Sequence, residues 1–320
     1  MGTSMLNRRT AMATAVVSAL LAPVPAVAAS ASTAQVPAAC RSTRNPELAA
    51  RMSRDIGAAL SSRQGTVAVA VRDDNTDLTC ALASERQYDS ASVVKVMIME
   101  ATLRRADELR RTLTNWELAN VRPMITISDN IAAQHLWNDL GHTYLRRFLE
   151  RVGTRRTELG RAGYWGLTRT TATDQMRLLG VLTGARSFLK SRAYGLKLLS
   201  QVRSDQRWGV PAGMPRGMQA HIKNGWLPRS THGWRVHSVG VFTGSGRRYR
   251  IVVLSHDNPT MTYGVRTIER IAQAVHRGLN RRRGVVQGFT PENGISEVSD
   301  GSAPRGPVLD WDEPERGATP

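Results

Sequence analysis

Ser90-Ala91-Ser92-Val93-Val94-Lys95-Val96-Met97-Ile98-Met99 is the stretch on which the reading of this chain turns. Ser92 and Lys95 are three residues apart, so on a helix they share a face. A serine that opens a helix has its hydroxyl near the positive end of the helix dipole, and a lysine one turn later can hold or take its proton. Ser-x-x-Lys alone arises by chance in a basic chain, so its context has to decide its meaning. The residues that follow are apolar nearly all round the helix, which places it centrally and buried.

Working outward, Glu47 to Ser61 carries Leu48, Met52, Ile56 and Leu60 at every fourth position, an amphipathic helix. Thr66 to Val71 and Leu78 to Ala83 alternate as strands around the turn Asp73-Asp74-Asn75. After the Ser92 helix, which is predicted to end near Arg105, helical segments are predicted over 114–122, 129–140, 143–152, 173–183 and 189–203. Gly141 and Gly153 act as stops, and 154–171 is irregular. Strands return at Met218 to Trp226, Trp234 to Thr243 and Arg248 to Ser255, followed by a long helix from Thr262 to Leu279. The order predicts an α+β fold: a five-stranded antiparallel sheet flanked by N- and C-terminal helices, with an all-helical lobe at about 92–215 inserted into it. The folded domain is expected over 45–283 and its site at the seam between the lobes.

The ends differ from this body. Residues 1–29 read as a signal peptide: Arg8-Arg9, an apolar run from about Ala11 to Leu21, and Ala26-Val27-Ala28 as a cleavage site. Arg8-Arg9-Thr10 is part of a twin-arginine pattern. The run is too short and alanine-rich for a membrane span, so a secreted, extracellular protein is expected. Residues 30–44 form a linker rich in Ala, Ser, Thr and Pro. Cys40 and Cys80 are the only cysteines, and in an oxidising compartment they would pair. Residues 284–320 hold two arginines and seven acids with no periodic apolar face, a disordered acidic tail.

The formal net charge is +18 over 320 residues. Such a surface suits a polyanion such as an anionic cell-wall polymer, or reflects compositional bias alone. No nucleic-acid-binding signature accompanies it, so nucleic acid is not expected as a partner. A monomer without cofactor or metal is expected. The seven histidines are scattered, and His232, His237 and His256 read as packing or surface residues because no carboxylate cluster accompanies them. Asp257 receives no role. Trp165, Trp208, Trp226 and Trp234 are candidates for core or cleft wall.

Two further short stretches fall in register with the first. Ser128-Asp129-Asn130 lies in the helical lobe, and Lys223-Asn224-Gly225 lies near the end of the strand that follows it. With these three motifs, residues 45–280 resemble the penicillin-recognising serine hydrolases, and within them the class A β-lactamases most closely. The resemblance implies acyl transfer. Ser92 would be the nucleophile, Lys95 the base with a lowered pKa, Ser128 the proton relay to the leaving nitrogen, and Lys223 a cation facing Ser128 and a substrate carboxylate. Asn130 would hold the substrate amide, and the backbone N–H groups of Ser92 and Trp226 would form the oxyanion hole. Gly225 would leave room for substrate against the strand. Substrates would be a β-lactam or a peptidoglycan-type peptide.

Two departures from the family pattern limit the inference. Asn224 stands where the family carries a hydroxyl, so it offers an amide to the substrate carboxylate instead. The stretch from Thr157 to Gly166 lacks the family's water-activating glutamate with an asparagine four residues on; Glu158 is its only acid, and it falls early, nearer a loop-closing position. Three readings therefore stand: a β-lactamase-like enzyme acylated on Ser92; a D-alanyl-D-alanine-type peptidase or other envelope amidase or esterase that deacylates β-lactams slowly; and a non-catalytic envelope-binding protein.

Overall fold

The computed structural model describes residues 1–2, 39–161, 163–280 and 295–303. The segment read as a signal peptide lies almost wholly outside the described residues, as does the linker up to residue 38. Helix α1 (Pro46–Leu60) starts where Asn45 accepts a hydrogen bond from the Leu48 amide with Pro46 at the first helical position, and it buries Leu48, Met52, Ile56 and Leu60. In chain order, α2 is Lys95–Glu108, α3 Asn115–Thr126, α4 Asn130–Val152, α5 Ala172–Thr183, α6 Arg192–Ser200 and α7 Met261–Leu279. The strands are β1 (Ala39–Arg41), β2 (Thr66–Asp73), β3 (Leu78–Leu82), the short pair β4 (Tyr88–Asp89) and β5 (Arg169–Thr170), then β6 (Gln219–Pro228), β7 (Trp234–Gly244) and β8 (Arg247–Asn258).

The main sheet runs β1-β3-β2-β8-β7-β6, antiparallel throughout. It has six strands, one more than expected. The extra strand is β1, cut from the end of the predicted linker. Three residues are too few to show alternation, and β1 is held by pairing with β3, where Cys40 faces Cys80 and the two form a disulfide. Closing a loop of this length is worth roughly 4 kcal/mol in the chain-entropy model. Helices α1 and α7 pack together and against the sheet, whereas α5 lies against β2 and β8. Among the described residues no helix is long and apolar enough to cross a membrane.

The helical lobe is built around α2, which touches α3, α4, α5 and α6. One boundary differs from expectation. The third helix runs through Pro123 to Thr126, and the Pro123 carbonyl accepts from both the Ile127 and Asp129 amides, so the proline sits just before the turn that presents Ser128. Within α4, Gly141 (φ 69°, ψ 155°) breaks the helix into the two segments expected on either side of it.

One residue of α2 opposes the fold. Glu100 is fully buried, and neither carboxyl oxygen has a hydrogen-bond partner. Burial raises its pKa well above 4.5. The folded state keeps this proton while the unfolded chain releases it above the ordinary glutamate range, so stability falls as pH rises through that range. Glu100→Met is expected to raise the melting temperature at pH 7, by roughly 2–4 °C for each kcal/mol recovered. The gain should shrink toward pH 4, measured by calorimetry at the two pH values.

Candidate active site

The Ser92 stretch opens as a 3-10 turn, Ala91–Val94, that leads directly into α2 and packs on β6. Ala91 sits at φ +45° and Ser128 at φ +59°, both in the left-handed region that non-glycine residues avoid. Backbone held this way costs on the order of 1–3 kcal/mol and persists only where the surroundings enforce it. Here the two strained residues flank one cluster. Ser92 is buried, and its Oγ has no hydrogen-bond partner.

Lys95 is buried as well. Its Nζ donates to the Ser128 carbonyl at 2.7 Å, to Asn130 Oδ1 at 2.7 Å and to Ser128 Oγ at 3.0 Å, and it lies 4.9 Å from the centre of the Trp165 ring. From the sheet side, Lys223 Nζ reaches the same Ser128 Oγ at 3.0 Å and its neighbour's carbonyl, Asn224 O, at 2.8 Å. Burial is the main reason that the Lys95 pKa falls well below 10.5; the Lys223 charge lowers it further, and the Asp300 and Asp129 carboxylates oppose the fall. Burial likewise lowers Lys223, to about 8. A neutral Lys95 would be well satisfied. Its two N–H groups would serve the two acceptor-only oxygens, leaving the lone pair for a hydroxyl proton.

Two backbone donors converge beside Ser92. The amides of Ser92 and Trp226 donate to a single oxygen, Asp300 Oδ2, at 3.0 and 3.2 Å. The backbone of Asp300 adds two more contacts: its N–H donates to Trp226 O at 3.1 Å, and its carbonyl accepts from Asn130 Nδ2 at 2.8 Å. The segment 295–303 therefore lies in the cleft, which corrects the expectation of a structureless tail for these residues; the rest of 284–320 lies outside the described residues. Nothing in the sequence marks Asp300, because a segment without regular secondary structure leaves no periodic pattern.

The structure thus brings Ser92, Lys95, Ser128, Asn130, Lys223, Gly225 and Trp226 together, and it changes three readings. Asn224 does not offer its amide to a ligand. A strand alternates its faces, so with Lys223 toward the cleft Asn224 turns away, and its two N–H groups bond the carbonyls of Gln206 and Trp208. Gly225 is needed for a closer reason than substrate access: a Cβ there would lie 2.6 Å from the Ser92 nitrogen and 2.8 Å from that of Val93. Glu158 is exposed. Its backbone bridges Arg169, and its carboxylate accepts from Gln87 at 2.8 Å. It takes no part in the contacts of Ser92, Lys95, Ser128 or Lys223, so it stands as a loop-closing residue and not beside the cluster.

The histidines also need correction, because a carboxylate does gather two of them. Asp257 bonds His232 Nδ1 at 3.0 Å and His256 Nδ1 at 2.6 Å, while His237 is buried against the Asp89 carbonyl. Trp165 and Trp208 are buried, and Trp208 meets Trp226 edge-on.

The sequence profile of the Beta-lactamase enzyme family (Beta-lactamase2) matches residues 51–116 and 110–279. This chain therefore belongs to that family. No curated protein matches it significantly. Among solved structures it is similar to a β-lactamase from Sphaerobacter thermophilus (TM-score 0.61, 21% identity, covering 72% of this chain and 98% of that one). It is similar to a class A β-lactamase representative from Bacteroides cellulosilyticus (0.62, 16%, 72% and 98%). An acyl-enzyme complex of a PBP-A variant with penicillin G is similar too (0.61, 18%, 72% and 97%). At these identities the likeness establishes the class A β-lactamase fold.

The contact between Gly225 and the Ser92 turn is open to test. Gly225→Ala forces backbone atoms apart, an overpacking change worth about 1–3 kcal/mol. The expected result is a melting temperature lower by several degrees, with faster hydrogen exchange at the Ser92 and Val93 amides.

Proposed function

We propose that this member of the β-lactamase enzyme family is an exported serine hydrolase that forms an acyl-enzyme on Ser92 with β-lactams or related amides. The observation that carries the reading is the Ser128 hydroxyl held between the ammonium groups of Lys95 and Lys223, next to an unbonded Ser92 Oγ and a converging pair of backbone N–H groups. In this reading neutral Lys95 takes the Ser92 proton as Oγ attacks the carbonyl carbon. The oxyanion that forms accepts from the Ser92 and Trp226 amides, which are already aimed at one point and need no reorganisation. Ser128 passes a proton to the leaving nitrogen, Lys223 supplies the positive charge for an anionic substrate, and Asn130 orients the substrate amide. Export is supported by the pattern of residues 1–29 and by the Cys40–Cys80 disulfide, which suits an oxidising compartment.

A second reading, an envelope peptidase of D-alanyl-D-alanine type that releases β-lactams slowly, is favoured by one observation. Among the described residues, Asp300 is the carboxylate hydrogen-bonded to the paired amides, and none from the 154–171 loop bonds Lys95, Ser128 or Lys223. Without a positioned water base, acylation outpaces deacylation.

Intact mass spectrometry after a penicillin pulse separates the two steps. A single adduct that maps to Ser92, is absent from Ser92→Ala and persists for many minutes is the expected result. No adduct on a folded wild-type protein would overturn the reading, and rapid loss of the adduct would return it to an efficient β-lactamase. The acylation rate should rise with pH as Lys95 loses its proton, well below the ordinary lysine range. Above about pH 8 it should fall as Lys223 loses its charge. Lys223→Arg, which stays protonated, should carry the plateau to higher pH in stopped-flow measurements.

A further inference from the structure

Residues 295–303 are joined to the cleft by contacts on several separate elements. Glu297 receives the amides of Met261 and Thr262, at the start of α7, at 2.7 and 3.0 Å. Trp226 Nε1 donates to Val298 O at 2.7 Å. Asp300 then makes its two backbone contacts and fills the amide pair. Beyond it the chain turns at Gly301 (φ +70°), where a Cβ would lie 2.8 Å from Asn130 Nδ2. Ser302 fits against Gly166 so closely that a Cβ on that glycine would be 2.2 Å from its carbonyl oxygen. Ala303 is buried with Ala91, Leu167 and Leu227. These contacts extend from α7 across the nucleophile turn to the loop opposite.

We infer that residues 295–303 form a built-in inhibitor of the Ser92 site, a tethered strand that occupies the substrate position and has to leave before an acyl donor can bind. This rests on the reading of Ser92 as the nucleophile. The Asp300 Oδ2 atom sits on the two amides that an attacked carbonyl oxygen would need, so the two ligands exclude each other. The Asp300 carboxylate has no leaving group to lose, and the strand is not consumed by the serine that it covers. Its charge also faces both lysines and raises the proton affinity of each, which opposes the fall that burial imposes. The tail is acidic and the body basic, so their attraction favours docking. Because the segment belongs to the same chain, its docking is intramolecular and does not depend on protein concentration. A substrate therefore binds with its affinity reduced by the fraction of molecules whose cleft is open.

The test uses the full chain with a fluorescent penicillin at sub-saturating concentration. Asp300→Ala removes the carboxylate, and Gly301→Val lifts the turn by placing a side chain against Asn130 Nδ2 while leaving every cluster residue in the sequence unchanged. Both variants are expected to label at Ser92 at least tenfold faster than the wild type. A synthetic peptide of residues 295–303 should slow Asp300→Ala again. Labelling within twofold of wild type in both variants overturns the inhibition. If neither wild type nor variants label at all, the assignment of Ser92 fails separately. The amide nitrogen chemical shifts of Ser92 and Trp226 then decide the tail: a change on Asp300→Ala upholds its place on the two amides, and unchanged shifts overturn it.

Discussion

Two ammonium groups share one buried hydroxyl, and much of the site's arrangement follows from that. Lys95 and Lys223 each lie 3.0 Å from Ser128 Oγ, so their nitrogens are at most about 6 Å apart. At that separation two positive charges repel by about 3 kcal/mol at an effective dielectric near 20, and both are already deprived of water. Burial lowers the proton affinity of both lysines, and the Lys223 charge lowers that of Lys95 further; a neutral Lys95 is satisfied by two acceptor-only oxygens. Ser128 has to sit between them, which is why its backbone is forced to φ +59°. The pieces that force it are an ordinary helix end and an ordinary cap: the Pro123 carbonyl bonded on both sides of Ser128, and Asp129 accepting from the Ala132 amide at the start of α4.

The same constraint explains the contact between lobes. Lys95 comes from the helical lobe and Lys223 from β6, so the cluster exists only if α2 is seated firmly on the sheet. The absence of a side chain at Gly225 allows that seating, since the amides of Ser92 and Val93 lie where its Cβ would be. This approach also brings the Ser92 and Trp226 amides together. A glycine, two lysines and a pair of amides are thus set by one packing decision.

Most of this was legible in the sequence because the deciding residues sit inside strongly periodic elements. The Ser92 helix is apolar nearly all round, β6 to β8 are rich in β-branched and apolar residues and are bounded by turn residues, and the three motifs fall at or near element ends, where side chains face a seam. The cysteine pair was legible through compartment and number. What was not legible depended on registers and faces. The amide of Asn224 was assigned to a ligand although strand alternation opposes it to Lys223. The first strand is too short to have a period and is located by the partner of Cys80. Glu158 was the only acid in its loop by composition, but the Arg169 bridge turns it to solvent. Asp257 lies far in sequence from His232, so only the fold could show that they meet. Asp300 was least accessible, because its partners Ser92, Asn130 and Trp226 are far away in sequence and no periodic pattern surrounds it.

An anion is the ligand that this cleft is built to attract. Two amides and two lysines present positive potential to one small volume, and in a low-dielectric setting such donors act strongly. In this structure Asp300, from an acidic segment of the same chain, lies on the two amides. Its carboxylate then sits on the amides that a substrate carbonyl would need, so the group cannot at the same time serve as the base for an attacking water in that position. A carboxylate supplied by the tail and one supplied by a substrate compete for the same charges. On the proposed function, the features that would draw an anionic acyl donor to Ser92 are therefore the ones that hold Asp300 there. Selectivity between them has to come from what the tail lacks, a leaving group at the carbonyl, and from what the free substrate lacks, a tether.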